Sequence, residues 1–543
     1  MQKQLTNLLL MLLVLVSLIA FGQHKKTANE GAHETKLQSQ RALHAVQQDV
    51  AIAEVLQELK REAAHGLLAF RNVRIIDPLA ESISAAQTVV VSGDRIDWVG
   101  DHDKEPANAR NAREIDVSGM YIVPGLTDMH VHSSSTASWL LDLSSGITTV
   151  RDMAGVPWML DAREKIKSGL MLAPSLAVAG PLINSFGLEG YAVVVRDPLD
   201  ARRSVRQQAA CGYDFIKTWN VLPEPIFNAV AEQARLEGMD LVGHVPQGIT
   251  VPHAIAMGMR TMEHLKGFID DRTLQLGETD YVSAAAENVW NTPTLYAGRS
   301  SARGAEARAY LHSEEMRYVP IRRRAAWEQL LEKPEGRVDR LRSDARVIMK
   351  DIVRQLYAVH AHFLAGTDSD GYPFQVSGFA LLDELNLLHD AGLSRGEVLR
   401  SATTEAARAM REPEEFGQIR AGFRADLIVL NTNPIEHLAA FRRNRGVMVH
   451  GFWLDRSKLD QALSRLAEVS QERDEDVELS ESVIRSTIQR VLRLSNSGFV
   501  LSSPKLMTLA GEIRKAGNSG EADELERLAN IPAVGPCGEA RPN

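Results

Sequence analysis

The sequence predicts an α/β protein: a TIM-type (β/α)8 barrel with a small β-sandwich built from segments on both sides of it. Three observations carry that prediction. Eight short Val/Ile-rich runs alternate with helical patterns between Ile122 and Asp368. Strand-like runs with tight-turn residues stand before and after this region. Residue types that ligate metals fall at the ends of the runs inside it.

The elements follow in order. Lys3 and the apolar run Leu8–Phe21 (LLLMLLVLVSLIAF), with small residues at Ala20 and Gly22, predict a signal peptide over residues 1–22 and export to the periplasm or the medium. The run is shorter than the ~20 residues of a membrane span, so an N-terminal anchor is the lesser reading. No cysteine follows the cleavage region, which argues against a lipoprotein. Residues 23–66 read as a helical extension packed on the outside of the fold, from the i, i+3, i+4 pattern of VQQDVAIAEVLQELKREAA. The runs LLAFRNVRIID, TVVVSGDRIDWVG and REIDVSGMYIV make 67–121 the first part of the sandwich.

The barrel is assigned to 122–412. Its strand candidates are MYIVPGLTDMHVH, GITTVRDM, SLAVAG, YDFIKTW, MDLVGHV, RTMEHL, VWNTPTLY and HFLAGTD. An Arg- and Glu-rich insertion, about Ala297–Arg346, separates the seventh from the eighth and reads as an exposed helical excursion or lid. FGQIRAGFRADLIVLNTNP and GVMVHGFWLD supply the second part of the sandwich, 413–457. The remainder, 458–543, is a helical extension and tail with no assigned chemistry.

Composition narrows the function. The chain has 543 residues, with 61 Lys and Arg against 70 Asp and Glu, a net charge of −9. That leaves no excess of cations for phosphate neutralisation and argues against a nucleic-acid partner. A 44% hydrophobic share suits a large soluble core. The two cysteines, Cys211 and Cys537, lack metal or redox spacing and are not expected to pair.

The chemistry lies where the strands end, because a (β/α)8 barrel gathers its site at that face. His130 and His132 close the first strand at i, i+2 spacing, so both imidazoles point the same way. Lys217 ends the fourth strand, His244 the fifth, His264 the sixth and Asp368 the eighth. Each alone has an ordinary structural reading. Together, four imidazoles and a carboxylate supply the nitrogen and oxygen donors that suit zinc and its neighbours. Lys217 fits less simply, since a buried ammonium beside cations is costly, and it is read either as part of the centre or as snorkelling to the mouth.

The runs VPGLTDMHVH, GITTVRD, FIKTW, MEHL, GTDSDG and GFRADLIVLNTNP resemble the amidohydrolase superfamily, in its imidazolonepropionase-like and prolidase-like (Xaa-Pro dipeptidase-like) branch. The resemblance covers about Leu67–Asp455. It implies two divalent metal ions, with zinc the first choice, and a Lys217 carboxylated by CO₂ that bridges them. His130, His132 and Asp368 would hold one ion, and His244 and His264 the other. A shared water would then be deprotonated to a bridging hydroxide. Asp368 would act as general base and acid in cleaving an amide C–N bond of a small substrate, such as a dipeptide or an N-acyl amino acid.

The chain departs from the family pattern in three places. GHVPQG stands where prolidase-like members carry an HAHG-type run, and the insertion and the tail are atypical. Tyr296 and Asn184, near strand ends, are weaker candidates for substrate contacts. A second HxH pair, His360 and His362, starts the eighth strand and reads as structural. Two alternatives remain: a mononuclear deaminase or cyclic-amide hydrolase with a structural Lys217, and a non-catalytic exported binding protein on the same fold. The expected partner is a small molecule or short peptide, with no stable membrane span after signal cleavage; assembly into a homo-oligomer is left open.

Overall fold

The computed structural model describes residues 28–529, apart from 133–134, 188–191, 270–275, 277–279, 302–304, 335 and 516. The predicted signal peptide and Cys537 lie outside the described residues. Among the described residues no helix is long and apolar enough to cross a membrane.

In chain order the strands are β1 (Leu67–Asp77), β2 (Ser82–Ser92), β3 (Arg95–Gly100), β4 (Arg113–Ile115) and β5 (Tyr121–Pro124). Next come β6 (Leu126–Val131), β7 (Ile147–Asp152), β8 (Ser175–Val178), β9 (Leu182–Asn184), β10 (Ala192–Val194) and β11 (Phe215–Thr218). They continue as β12 (Asp240–Gly243), β13 (Met259–Glu263), β14 (Trp290–Thr292) and β15 (His362–Phe363), followed by β16 (Leu427–Leu430), β17 (Asn444–Val449) and β18 (Phe452–Asp455).

The strands on the two flanks pair with each other. One mixed eight-stranded sheet has the order β18-β17-β16-β5-β1-β2-β3, with β4 added on β1. Its seam is β5, parallel to β1 and antiparallel to β16, with Val123 opposite Ile428. Buried Phe70, Val89, Ile122, Leu427 and Val429 fill one side, and Trp453 meets Phe70 edge-on at 5.4 Å. Apolar burial of this kind, about 25 cal/mol per Å², joins the two flanks into one body.

Between the flanks the strands are parallel, in a three-stranded sheet β6-β7-β8 and a seven-stranded sheet β10-β9-β11-β12-β13-β14-β15. α-Helices intervene between β6 and β7, β7 and β8, β10 and β11, β11 and β12, β12 and β13, and β14 and β15, while β8, β9 and β10 follow one another without a helix among the described residues. Two single-residue parallel bridges link the sheets, Ala179 with Phe215 and Val131 with Ser369. Met129 N also donates to Ala365 O at 2.9 Å.

The expected first barrel strand is in fact two. Gly125 stands at the break, where a Cβ would lie 2.1 Å from Thr148 Oγ1, and the two halves pair with different strands, β5 with β16 and β6 with β7. Tyr121–Pro124 therefore belongs to the mixed sheet, and the parallel region begins at Leu126 rather than Ile122. The short strands β9 and β10 carry no pattern that the sequence reading used.

The terminal extensions also differ from expectation. Helix α1 (Ala28–Glu62) is not a simple outer layer: Leu43, Val50 and Leu56 are fully buried, and helices of the C-terminal extension cover it. Its acidic side faces their basic residues, in the pairs Asp49–Lys505, Glu54–Arg490, Glu58–Arg465 and Glu62–Lys458. Such pairs contribute little individually, so register here comes from packing with charge as a guide. The insertion is likewise docked rather than merely exposed, since Trp327 of the helix Ile321–Glu332 is buried against Phe374 at 5.5 Å.

If α1 is part of the core, Leu56→Ala lowers stability by about 2–5 kcal/mol in chemical denaturation. A change under about 0.5 kcal/mol would mean the helix lies loosely on the surface.

Candidate metal centre

Five of the six expected ligands share direct contacts. His130, at the end of β6, is fully buried. Its Nε2 lies 3.1 Å from Lys217 Nζ and 3.4 Å from Asp368 Oδ1. His132 Nε2 is 3.0 Å from the same carboxylate oxygen, and His264 Nε2 is 3.9 Å from Asp368 Oδ2. His244 joins through His264, their rings 4.8 Å apart and perpendicular. Ligand atoms of His130, His264 and Asp368 all lie within 4.8 Å of one another.

Local backbone geometry places these groups. His264 and Asp368 both sit in the left-handed region, at φ 60°, just past the regular pairing of β13 and β15. Non-glycine residues held there are uncommon and mark positions fixed by their surroundings. Before His244, Gly243 has φ 119°, and a Cβ on it would lie 2.5 Å from Thr218 O. Only glycine lets β12 pass β11 so closely.

The donor set fits a cation on this structure's own features. His244 Nε2 is buried without a hydrogen-bond partner, while its Nδ1–H donates to Asn220 Oδ1. An orphaned imidazole lone pair beside imidazoles and a carboxylate is what a transition metal takes up. Burial, reinforced by the neighbouring cations, holds His244 well below the ordinary histidine range, and burial does the same for His264. Burial also pushes Lys217 down to about 8, against the pull of Asp368. For Asp368 burial acts upward, yet His264 and His130 hold the carboxyl well below its usual range.

Several supporting residues escaped the sequence reading. Glu263, one residue before His264, accepts from His130 Nδ1–H at 2.7 Å and from Arg151 Nη2 at 2.8 Å, all three fully or nearly buried. Asp128 accepts from Thr367 Oγ1 at 2.7 Å and Thr367 N at 3.1 Å, tying β6 to the segment after β15. Trp219 stacks on His244 at 4.5 Å and lies beneath Lys217 Nζ. Asp152 ends β7, where burial pushes its carboxyl up to about 6 even though His132 opposes the shift. These residues lie inside the quoted runs GITTVRD, MEHL, LTDMHVH and FIKTW. Position was the available signal: the strand residues flanking each ligand face the interior or the neighbouring strand.

The weaker candidates settle elsewhere. Asn184 is buried, its Oδ1 accepting from Val221 N at 2.9 Å and its Nδ2 donating to Phe186 O at 2.8 Å, so it braces two loops. Tyr296 is also buried, with its hydroxyl donating to Phe374 O at 3.3 Å. His360 is exposed before β15, and His362 faces Glu405 at 3.6 Å, away from the ligand cluster. The insertion reaches the segment just past Asp368: Arg323 Nη1 donates to Asp370 Oδ1 at 2.9 Å, and Ser138 Oγ donates to the other carboxylate oxygen at 2.8 Å.

Parallel strands presenting imidazoles and a carboxylate at one end make a candidate metal site on an α/β scaffold. Residues 121–452 match the model of the amidohydrolase family, and the chain belongs to that family, as a hydrolase of carbon–nitrogen bonds. A solved bottromycin amidohydrolase is similar at 26% identity and TM-score 0.66, over 78% of this chain and 94% of that one. A Xaa-Pro dipeptidase with methionine bound in its active site aligns at 21% identity and TM-score 0.57, over 72% and 100%. The ochratoxinase of A. niger aligns at 16% and 0.56, over 72% and 96%. The latter two likenesses show the fold alone. A search of curated proteins returns no match.

The depressed histidines generate a pH prediction for the metal-stripped chain. The unfolded chain takes up protons at His244 and His264 near pH 6.5, while the folded chain does not until lower pH. The contribution of these two groups is therefore full above 6.5 and falls below it, by about 1.4 kcal/mol per pH unit for each group. Asp128, raised to about 7, and Asp152, raised to about 6, protonate on the folded chain in the same window and oppose that slope, so the difference between wild type and His244→Asn isolates it. Denaturation profiles of the two that run parallel between pH 7.5 and 5.5 would contradict the burial of His244.

Proposed function

We propose that the chain is an exported, metal-dependent amidohydrolase that cleaves an amide C–N bond of a small substrate, a dipeptide or an N-acyl amino acid. The observation that carries this is the meeting of His130, His132, Lys217, His264 and Asp368 within 4 Å contacts, with His244 Nε2 buried and unpartnered beside them. On this reading the two parallel sheets work as one closed barrel of β6, β7, β8 and β11–β15, with Ala179–Phe215 and Val131–Ser369 as the joining bridges. The predicted signal peptide over residues 1–22 is what supports export.

His130, His132 and Asp368 would hold one divalent cation, His244 and His264 a second, with a carboxylated Lys217 between them. Zinc fits these donors. When bound, such a pair supplies Lewis-acid polarisation of a carbonyl and acidifies water to a pKa of about 7. Lys217 meets the requirement for carboxylation, which needs a neutral amine: burial, with its amine at about 8, enlarges that neutral fraction. Asp368 takes the proton of the attacking water and delivers it to the nitrogen as the C–N bond breaks. Its left-handed backbone and its contacts with His130 and His132 keep one carboxylate oxygen turned toward the cluster. Trp219 walls the His244 side and limits water there.

A mononuclear reading has one observation in its favour, the compact triple His130, His264 and Asp368. Metal counting separates the two. The dinuclear reading expects close to two zinc ions per chain in the wild type and a loss of at least one in Lys217→Ala. It also expects turnover of some member of a dipeptide and N-acyl amino-acid library, falling by 10³-fold or more in Asp368→Asn, on the scale of losing a group made only for the transition state. A single ion unaffected by Lys217→Ala would sink it, and full loading with no turnover across the library would favour a binding protein.

A further inference from the structure

Three of the four imidazoles that face the cluster through Nε2, those of His130, His244 and His264, are backed unequally at Nδ1. Behind His130 stands a carboxylate: Glu263 Oε2 accepts Nδ1–H at 2.7 Å, and Oε1 accepts from Arg151 Nη2 at 2.8 Å and Thr261 Oγ1 at 2.6 Å. Arg151 Nε also donates to Met129 O at 2.7 Å, and Nη1 to Thr261 Oγ1 at 3.2 Å. Every member is nearly or fully excluded from water. Behind His244 stands a neutral amide, Asn220 Oδ1. Behind His264 stands a neutral hydroxyl: Thr294 Oγ1 lies 2.7 Å from Nδ1 and gives its own proton to Pro293 O at 2.8 Å, so it accepts.

A buried anion behind an imidazole raises the basicity of the opposite nitrogen and fixes the ring's tautomer, whereas a neutral acceptor fixes the tautomer with far less polarisation. Burying that anion is costly, and Arg151 offsets the cost inside the same hydrogen-bonded unit. We propose that Glu263, held by Arg151, is a positioning residue that makes the centre unequal: the ion on His130 binds tightly, and the ion on His244 and His264 binds weakly and exchanges. The inference rests on the dinuclear reading and specifies the order in which its two ions enter. It adds a functional consequence, since the loosely held ion would be the one lost first to a chelator.

Titration of the metal-stripped full-length protein with Zn²⁺ alone, in bicarbonate-containing buffer and followed by calorimetry, tests this. The wild type should show two steps whose dissociation constants differ by about 10–100-fold, the scale of such supporting carboxylates. Glu263→Gln alone strands a buried guanidinium, so the paired variant Arg151→Met/Glu263→Gln is used; it keeps an acceptor for His130 and removes both charges. It should weaken the tight step by at least tenfold and leave the weak step in place. The converse variant Asn220→Asp should tighten the weak step, and it decides the matter if the double variant does not fold. Two wild-type ions of equal affinity, or variants that leave both steps unmoved, overturn the inference while sparing the dinuclear centre. A single wild-type ion overturns the dinuclear reading itself.

Discussion

His130 O accepts from Asp368 N at 2.7 Å and from Thr367 N at 3.2 Å, and Asp128 takes both the amide and the hydroxyl of Thr367. These bonds stitch the end of β6 to the turn after β15, the first and last segments of the parallel region. All are buried, so breaking one leaves an unsatisfied group worth about 1–3 kcal/mol, and the junction holds as a unit. The site depends on it. The seam brings His130, on the three-stranded sheet, and Asp368, just past the edge of the seven-stranded one, into contact, and the remaining donors gather around that pair.

Charge sets the second constraint. Arg151, Lys217, Glu263 and Asp368 are all withdrawn from water within one small region. Each alone would cost several kcal/mol. They are tolerated as a connected set, the cation of Arg151 against the anion of Glu263 and the anion of Asp368 against its imidazoles. A cluster whose electrostatics close only when every member is present is hard to alter piecemeal, and its backbone carries the mark: two of its ligands lie in left-handed conformations.

How much of this the sequence disclosed depended on period and position. Alternating strand and helix runs revealed the parallel α/β region, and ligand residue types at run ends revealed the cluster members. Glu263 was hidden because a charged residue one position from a ligand candidate looks like solvent-facing polarity until the neighbouring strand closes over it, and Arg151 because no ligand candidate stands beside it in the sequence. The break at Gly125 was hidden too: MYIVPGLTDMHVH reads as one apolar run, and its two halves part only by pairing with different strands, β16 and β7. The covering of α1 by the C-terminal helices was illegible because tertiary contact between distant helices leaves no local period, only charge signs that become complementary once the helices meet. For Tyr296 and Asn184 position left loop bonding and substrate contact both open, and the fold adds the loop bonds: Val221 N to Asn184 Oδ1 and Tyr296 Oη to Phe374 O.

The account turns on six side chains sharing a pair of cations. Anomalous diffraction from zinc-loaded crystals, recorded on both sides of the zinc absorption edge, measures this directly. Two peaks about 3.5–4 Å apart are predicted, one against His130, His132 and Asp368 and the other against His244 and His264, with carboxylate density on Lys217 Nζ between them. One peak beside an unmodified Lys217, or zinc bound away from these residues, would contradict it.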